Sequence, residues 1–378
     1  MLKTILKLIV SLIIGIIAGL IIATIIIVCF TDTTFSEFVD KLTSARLADG
    51  LIAGVAGIMS FVVSVALLVI VHEAGHLVCG LLSGYRFVSF RIFNFTFIRI
   101  DGKVRIKRFS IAGTGGQCLL TPPDLPLDKI PTGWYNFGGI LFNLIALLAV
   151  FPIFFIKGHP FLAEFAVIFC LTDCFLILLN GIPMKISGAG NDGYNMLLLN
   201  RDQMSKRGLM ISLRSNALIQ EGVRPKDMPD EWFAVPEKIN YRNQLEVSLP
   251  LMAASRLLDE FKYREALDKF ESLYTHKDEI VSLYVKEIEC ELVFLRLVCG
   301  DKAGAEELLD DNLKKYIKAY NNVMSSKERI LCAIALLLDD NCDEAMAIYE
   351  DVKRRELDYL LQGEVKSDLA IMQALLMS

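Results

Sequence analysis

Ile70-Val71-His72-Glu73-Ala74-Gly75-His76-Leu77-Val78 decides how the rest of the chain is read, because it sets two imidazoles and a carboxylate inside an apolar run. The i, i+4 spacing of His72 and His76 puts both rings on one face of a helix, with Glu73 beside them. One metal ion can be gripped by both rings. Zinc suits such a pair, since catalytic zinc sites take three protein ligands and keep a position for water, which the ion acidifies toward neutrality. Glu73 would take the water's proton and later deliver it to a leaving amine. The competing structural reading is a pair of satisfied core histidines.

The run carrying this motif extends from about residue 52 to 82. It is long enough to cross a hydrocarbon core of about 30 Å, which takes about 20 helical residues. Segments at about 5 to 30, 136 to 156 and 163 to 184 qualify as well. Ionisable groups inside a span are costly, so three of them together demand a function. Composition agrees with a membrane protein: 54% of the 378 residues are hydrophobic and only 22% charged, with a mean hydropathy of +0.47. The excess is confined to the first half, whereas residues 200 to 378 are densely charged, which predicts a membrane domain followed by a soluble one. A net charge of -5 leaves nothing for nucleic acid to hold. The nine cysteines show no Cys-x-x-Cys spacing and read as reduced packing residues. Lys3 and Lys7 precede an apolar stretch longer than a signal-peptide core and without a small-residue cleavage pattern, so this stretch is read as a retained anchor.

Basic residues set the orientation. Lys3 and Lys7 precede the first span, and Arg86, Arg91, Arg99, Lys103, Arg105, Lys107 and Arg108 follow the second, whereas the opposite loops are poorer in positive charge. Both termini are therefore expected in the cytoplasm of a multi-pass protein, placed in a bacterial plasma membrane. Between 85 and 113, aromatic and β-branched runs broken by Asp101-Gly102 predict a hairpin or small sheet lying against the membrane, with an ordinary linker as the alternative. Thr114-Gly115-Gly116 and Thr121-Pro122-Pro123 read as turns leading to the third span.

The expected architecture is thus mainly α: an anchor and external loop over 1–51, a catalytic membrane core over 52–200, a Pro-interrupted linker over 201–240 and a cytosolic all-α domain over 241–378. In the last part, Ala266, Ala305 and Ala345 stand at 39- and 40-residue spacing within related stretches, the scale of two-helix repeats. The likeness to tetratricopeptide-type repeats lacks the Trp-x-x-Leu-Gly start and closing Pro, and an irregular helical bundle is the alternative.

A third metal ligand must reach the depth of His72 and His76, near the cytoplasmic end of their span. The fourth span also runs inward and ends near Pro183, so Asp192-Gly193 falls on the correct side. Its rival is Asp173, an acid within the hydrocarbon but about 15 Å away at about 1.5 Å per helical residue. His159 and His276 receive no role.

These residues resemble the site-2 protease family of intramembrane metalloproteases. His72-Glu73-Ala74-Gly75-His76 is similar to its H-E-x-x-H helix, and Gly139-Ile140-Leu141-Phe142-Asn143 to its G-x-x-x-N motif. Asn180-Gly181-Ile182-Pro183 followed by Asn191-Asp192-Gly193 resembles the N-x-x-P…D-G element; the match covers about residues 52 to 200. The resemblance implies that His72, His76 and Asp192 bind one zinc ion, that Glu73 is the general base, and that Asn143 lines the site near the scissile carbonyl, with Asn180 a weaker candidate. It also implies a sheet whose free edge pairs with an unwound substrate strand, which meets a physical need because a helix hides its peptide bonds. The expected partners are the bilayer, a transmembrane or membrane-associated substrate and a protein contact of the helical tail. The chain departs from the family in the stretched run Met184 to Gly190, in Asn191 at the usual Leu position, and in having no evident PDZ-like insertion or CBS-like tail. Two rival functions stand beside the protease: an inactive metal-binding scaffold whose tail recruits partners, and a transporter using the same histidines and acids as an ion site.

Overall fold

A computed structural model describes residues 47–100, 103–108, 115–186 and 189–377. Thirteen α-helices and a small sheet make up the described residues. The motif-bearing run forms α1 (Leu47–Leu82). It packs against α2 (Gly133–Val150), which a short 3-10 turn extends to Phe155, and α3 (Pro160–Gly181). Three segments are long and apolar enough to cross a membrane: Gly50–Leu82, Leu127–Phe155 and Pro160–Gly181. The sequence led us to expect four; the remaining one, at about 5 to 30, lies outside the described residues. Leu51, Ile58, Phe61, Leu148 and Phe175 turn outward from the three helices, more than half exposed, an apolar surface compatible with a membrane protein.

Helices α1 and α2 cross with almost no space between them. A Cβ on Gly75 would fall 2.1 Å from the Gly138 carbonyl oxygen, and one on Gly138 would fall 2.3 Å from that of Gly75. Only glycine at both positions permits this approach, as small residues do in helix pairs that lack a hydrophobic drive to associate.

Strands β1 (Arg86–Ile92), β2 (Phe95–Ile100), β3 (Lys103–Arg108) and β4 (Gly116–Thr121) form an antiparallel sheet in the order β3-β2-β1-β4. Strands β2 and β3 pair with Ile100 opposite Lys103; the Asp101-Gly102 signal between them lies outside the described residues. Two features differ from the expectation. The chain also reverses at Phe93-Asn94, with Phe93 at a φ of 52°. Residues 116–121, whose two ends were read as turns and whose middle received no element, form a strand, because Cys118, Leu119 and Leu120 bury their side chains in one cluster with Tyr85, Val88 and Met210. A two-residue pair, β5 (Lys185–Ile186) and β6 (Ala189–Gly190), follows α3.

The segment 201–240 is more ordered than a connector. Helix α4 (Asp192–Arg201) leads into α5 (Gln203–Gln220), whose Met210, Leu213 and Ala217 join the sheet's cluster. The prolines expected to interrupt this stretch lie beyond α5 and in the short 3-10 turns that follow it.

The tail comprises α6 (Gln244–Asp259), α7 (Tyr263–Tyr274), α8 (Ser282–Val298), α9 (Lys302–Leu308), α10 (Asp311–Tyr320), α11 (Ser325–Ala333), α12 (Cys342–Arg354) and α13 (Gln362–Leu376). Ala266, Ala305 and Ala345 lie fully or almost fully buried near the starts of α7, α9 and α12. Each of these helices packs against a preceding one, α6, α8 and α11. The alanine spacing in the sequence is thus the spacing of helix pairs, each alanine admitting the close approach of its partner.

Candidate metal centre

His72 and His76 lie in the last three turns of α1, and their Nε2 atoms stand 3.1 Å apart. Asp192 opens α4 and brings Oδ2 to 3.1 Å from His72 Nε2 and 3.4 Å from His76 Nε2. Ligand atoms about 2.0–2.1 Å from a tetrahedral ion are about 3.3 Å apart, so the three atoms have the separations that such coordination demands. The His76 Nδ1 atom lies 2.7 Å from the Tyr135 carbonyl oxygen. That oxygen can only accept, so Nδ1 carries a proton, and in the neutral ring Nε2 presents its lone pair toward the carboxylate. Two acceptors facing each other are stable with a cation between them, and a histidine anchored through its far nitrogen is the usual outer support of a metal ligand. The donor set therefore fits a metal ion. Nitrogen and carboxylate donors alone do not single out zinc.

The surrounding residues explain why the three ligands meet. Gly139 lies under His72, where a Cβ would come within 2.5 Å of the ring. The Gly75–Gly138 crossing carries Tyr135 to His76. On the other side, Asn191 caps α4 by accepting from Tyr194 N, accepts from Met184 N, and donates to the carbonyls of Leu179 and Ile182, both at 2.6 Å. Gly193 abuts Gly181, with room for no side chain. Asp192 is thereby clipped to the end of α3 across the stretched run 184–190.

Glu73 flanks the ligands against β4: a Cβ on Gly116 would fall 2.6 Å from Glu73 Cγ and 2.8 Å from Oε1. Arg91, 2% exposed, donates to the Phe93 carbonyl at 2.9 Å and the Gly116 carbonyl at 3.2 Å, fixing the stretch that meets Glu73.

Of the two acids considered as third ligand, the structure brings Asp192 to the histidines; among the described residues the group that could hold a metal ion is His72, His76 and Asp192. Asp173 is fully buried on α3 beside Asn143, with neither carboxylate oxygen satisfied by a hydrogen bond of good geometry. Asn143 lies one turn beyond Gly139, fully buried, and both of its side-chain polar atoms lack such partners. Asn180 is turned back on its own helix, donating to the Leu176 carbonyl at 3.1 Å. His276 stacks on Tyr241 in the tail, far along the chain from the centre. Sequence reasoning missed Tyr135, Arg91 and the clip made by Asn191. An arginine in an apolar strand was the one available signal, since Tyr135 acts through its backbone carbonyl and the Asn191 amide meets backbone groups.

Neither a family model nor a curated protein nor a solved structure matches the chain.

Proposed function

We propose that the chain is an intramembrane zinc endopeptidase that hydrolyses peptide bonds of membrane-embedded substrates near the cytoplasmic face, in regulated intramembrane proteolysis or peptide maturation. The observation that carries this reading is the convergence of His72, His76 and Asp192 beside Glu73 at one end of a helix able to cross a membrane. A zinc ion held there supplies a Lewis acid that brings the pKa of water toward neutrality and polarises a carbonyl. Glu73 accepts the proton of the attacking water and returns it to the departing amine. Asn143, with an unspent amide, donates to the carbonyl oxygen of the scissile bond and holds it in line for attack. The α1–α2 crossing and β4 shield the site on two sides, so the proton stays within reach of Glu73. Clustering of the ionisable groups at one depth speaks against a transport path, which would need them distributed through several spans.

Replacing Glu73 by Gln tests the mechanism. The variant retains about one zinc per chain and loses cleavage of a model transmembrane substrate by about 10²- to 10⁴-fold, the range of a general base. Cleavage at the wild-type rate would overturn the assignment. A wild-type protein that binds zinc and cleaves nothing would point instead to a metal-binding scaffold.

A further inference from the structure

A cavity of about 970 Å³ opens between the sheet and the tail, away from the metal centre. Its lining carries Arg86, Arg105, Lys107, Arg214 and Lys366 against only two acids, Asp124 and Glu221. The positive charge is largely unspent. Arg86 and Arg214 share Asp124, at 3.3 and 3.9 Å, and that carboxylate is four-fifths exposed. Lys107 and Lys366 donate to the backbone carbonyls of Tyr359 and Gly222 rather than to a carboxylate. Arg105 makes no ion pair among the described residues. Burial, with Arg105 alongside, holds the Lys107 ammonium below its usual range, Asp358 opposing. Gln220, 6% exposed, lines the same cavity with an unpartnered Oε1. Phe87, Val88 and Ile98 of the sheet and Trp232 of the loop after α5 supply an apolar floor.

We propose that this cleft is a docking site for an acidic, partly apolar segment in the cytoplasmic portion of the substrate. The proposal rests on the protease reading and names a substrate class for it. The cationic groups are spread over β1, β3, α5 and α13, as suits an extended chain, whereas a compact phosphate ligand would draw them to one point. The sheet also connects the two sites. Strands β1 and β4 pair from Ile92 opposite Gly116, the end that touches Glu73, to Arg86 opposite Thr121, the end that lines the cleft. That run is about 17 Å at about 3.3 Å per residue. An extended peptide leaving the centre along the sheet reaches the cleft after about five or six residues.

The test uses full-length Glu73→Gln protein in detergent and a fluorescein-labelled twelve-residue peptide alternating Asp or Glu with Leu or Phe, read by anisotropy. The peptide binds, a Lys-Leu peptide of equal length does not, and removing zinc leaves binding unchanged. Combining Arg86→Glu with Arg105→Glu weakens binding at least tenfold, and Arg105→Glu alone, at an exposed position, does so in part; zinc content confirms that each variant is folded. In the Glu73 enzyme, the double change raises KM for a transmembrane substrate bearing an acidic segment six or more residues from the scissile bond, with kcat unchanged. The same substrate without that segment is unaffected. Equal binding of acidic and basic peptides overturns the proposal, as does binding of ATP in place of the peptide. Peptide binding by a protein that cleaves nothing removes the protease reading alone. Efficient cleavage with no preference for the acidic segment removes this proposal alone.

Discussion

Two of the places where the protein buries charged and polar side chains treat them in opposite ways. In the tail, Arg329 is 2% exposed and its Nε and Nη2 are answered by Asp368 at 2.7 Å and Glu291 at 2.7 and 2.8 Å, with the Phe294 ring beneath its guanidinium. Lys327, fully buried, meets Glu287 at 2.6 Å, and Asp259 receives Arg224 at 2.6 Å. At the candidate metal centre the ligand atoms of His72, His76 and Asp192 lie within 4.8 Å of one another, and among the described residues no ion pair of Asp192 with an arginine or lysine is found. A buried charge is tolerated when it is paired and hydrogen-bonded. Pairing within the chain makes the tail network structural, whereas acceptors converging on acceptors make the centre a place for a cation.

The sharpest way to break this contrast is to remove an acceptor from the centre. Asp192→Ala is expected to lower zinc from about one per chain to near zero after dialysis, because two imidazoles alone do not complete a three-ligand site. Asp173→Ala keeps the metal. Zinc measured by atomic absorption on both variants decides it: loss only in the Asp173 variant would make the Asp192 geometry irrelevant to binding.

In the tail the expected loss is of stability, not of metal. Arg329→Met strands Glu291 and Asp368 without their cation, and breaking such a buried pair costs about 3–5 kcal/mol. Chemical denaturation followed by tryptophan-independent helix signal measures it, with zinc content unchanged. An effect under 1 kcal/mol would show that the network is solvated and its pairing incidental.

A smaller effect separates the ligands from what holds them. Asn191→Ala leaves all three metal ligands in place but removes the contacts that clip Asp192 to Leu179, Ile182 and Met184. Outer supports of metal ligands are worth about 10- to 100-fold in affinity. Competition with a zinc chelator reads the change; an unaltered affinity would mean that the run 184–190 is held by other contacts.

How much of this was legible in the sequence follows the range of the interactions. The His72–His76 spacing is local, so one helical turn predicts it, and the apolar runs predict the spans because length and hydropathy act along one element. Asp192 was expected from depth alone, a one-dimensional argument, and its carboxylate stands 3.1 Å from His72 Nε2. The β2–β3 pair has a local signature in the Asp101-Gly102 that separates it in sequence, whereas β4 has none: Gly116–Thr121 becomes a strand only when Cys118, Leu119 and Leu120 find the cluster with Met210. Asn191 shows the same limit. Read as a departure from the family's leucine, it looked like a weakness, yet its amide spans the stretched loop and meets carbonyls at the end of α3. Such bonds run from a side chain to distant backbone, and backbone carbonyls have no letter in the sequence.

The least effect is expected where the tail's pairing is incomplete. Glu364 lies near Asp368 and Glu287, with Lys327 as the opposing cation, and burial first, then these carboxylates, push its carboxyl up to about 8. Because the folded value lies above the ordinary glutamate value, the folded tail holds a proton that the unfolded chain releases. The stability this confers is present in full below the ordinary value and is lost as pH rises toward about 8. Melting temperature should therefore fall between pH 6 and pH 8.5, and Glu364→Gln, which cannot ionise, should flatten that dependence while leaving the pH 6 value nearly unchanged. A parallel decline in the variant would assign the pH sensitivity to other groups. It would also extend full pairing to Glu364, since a carboxylate already balanced by Lys327 has no proton to lose.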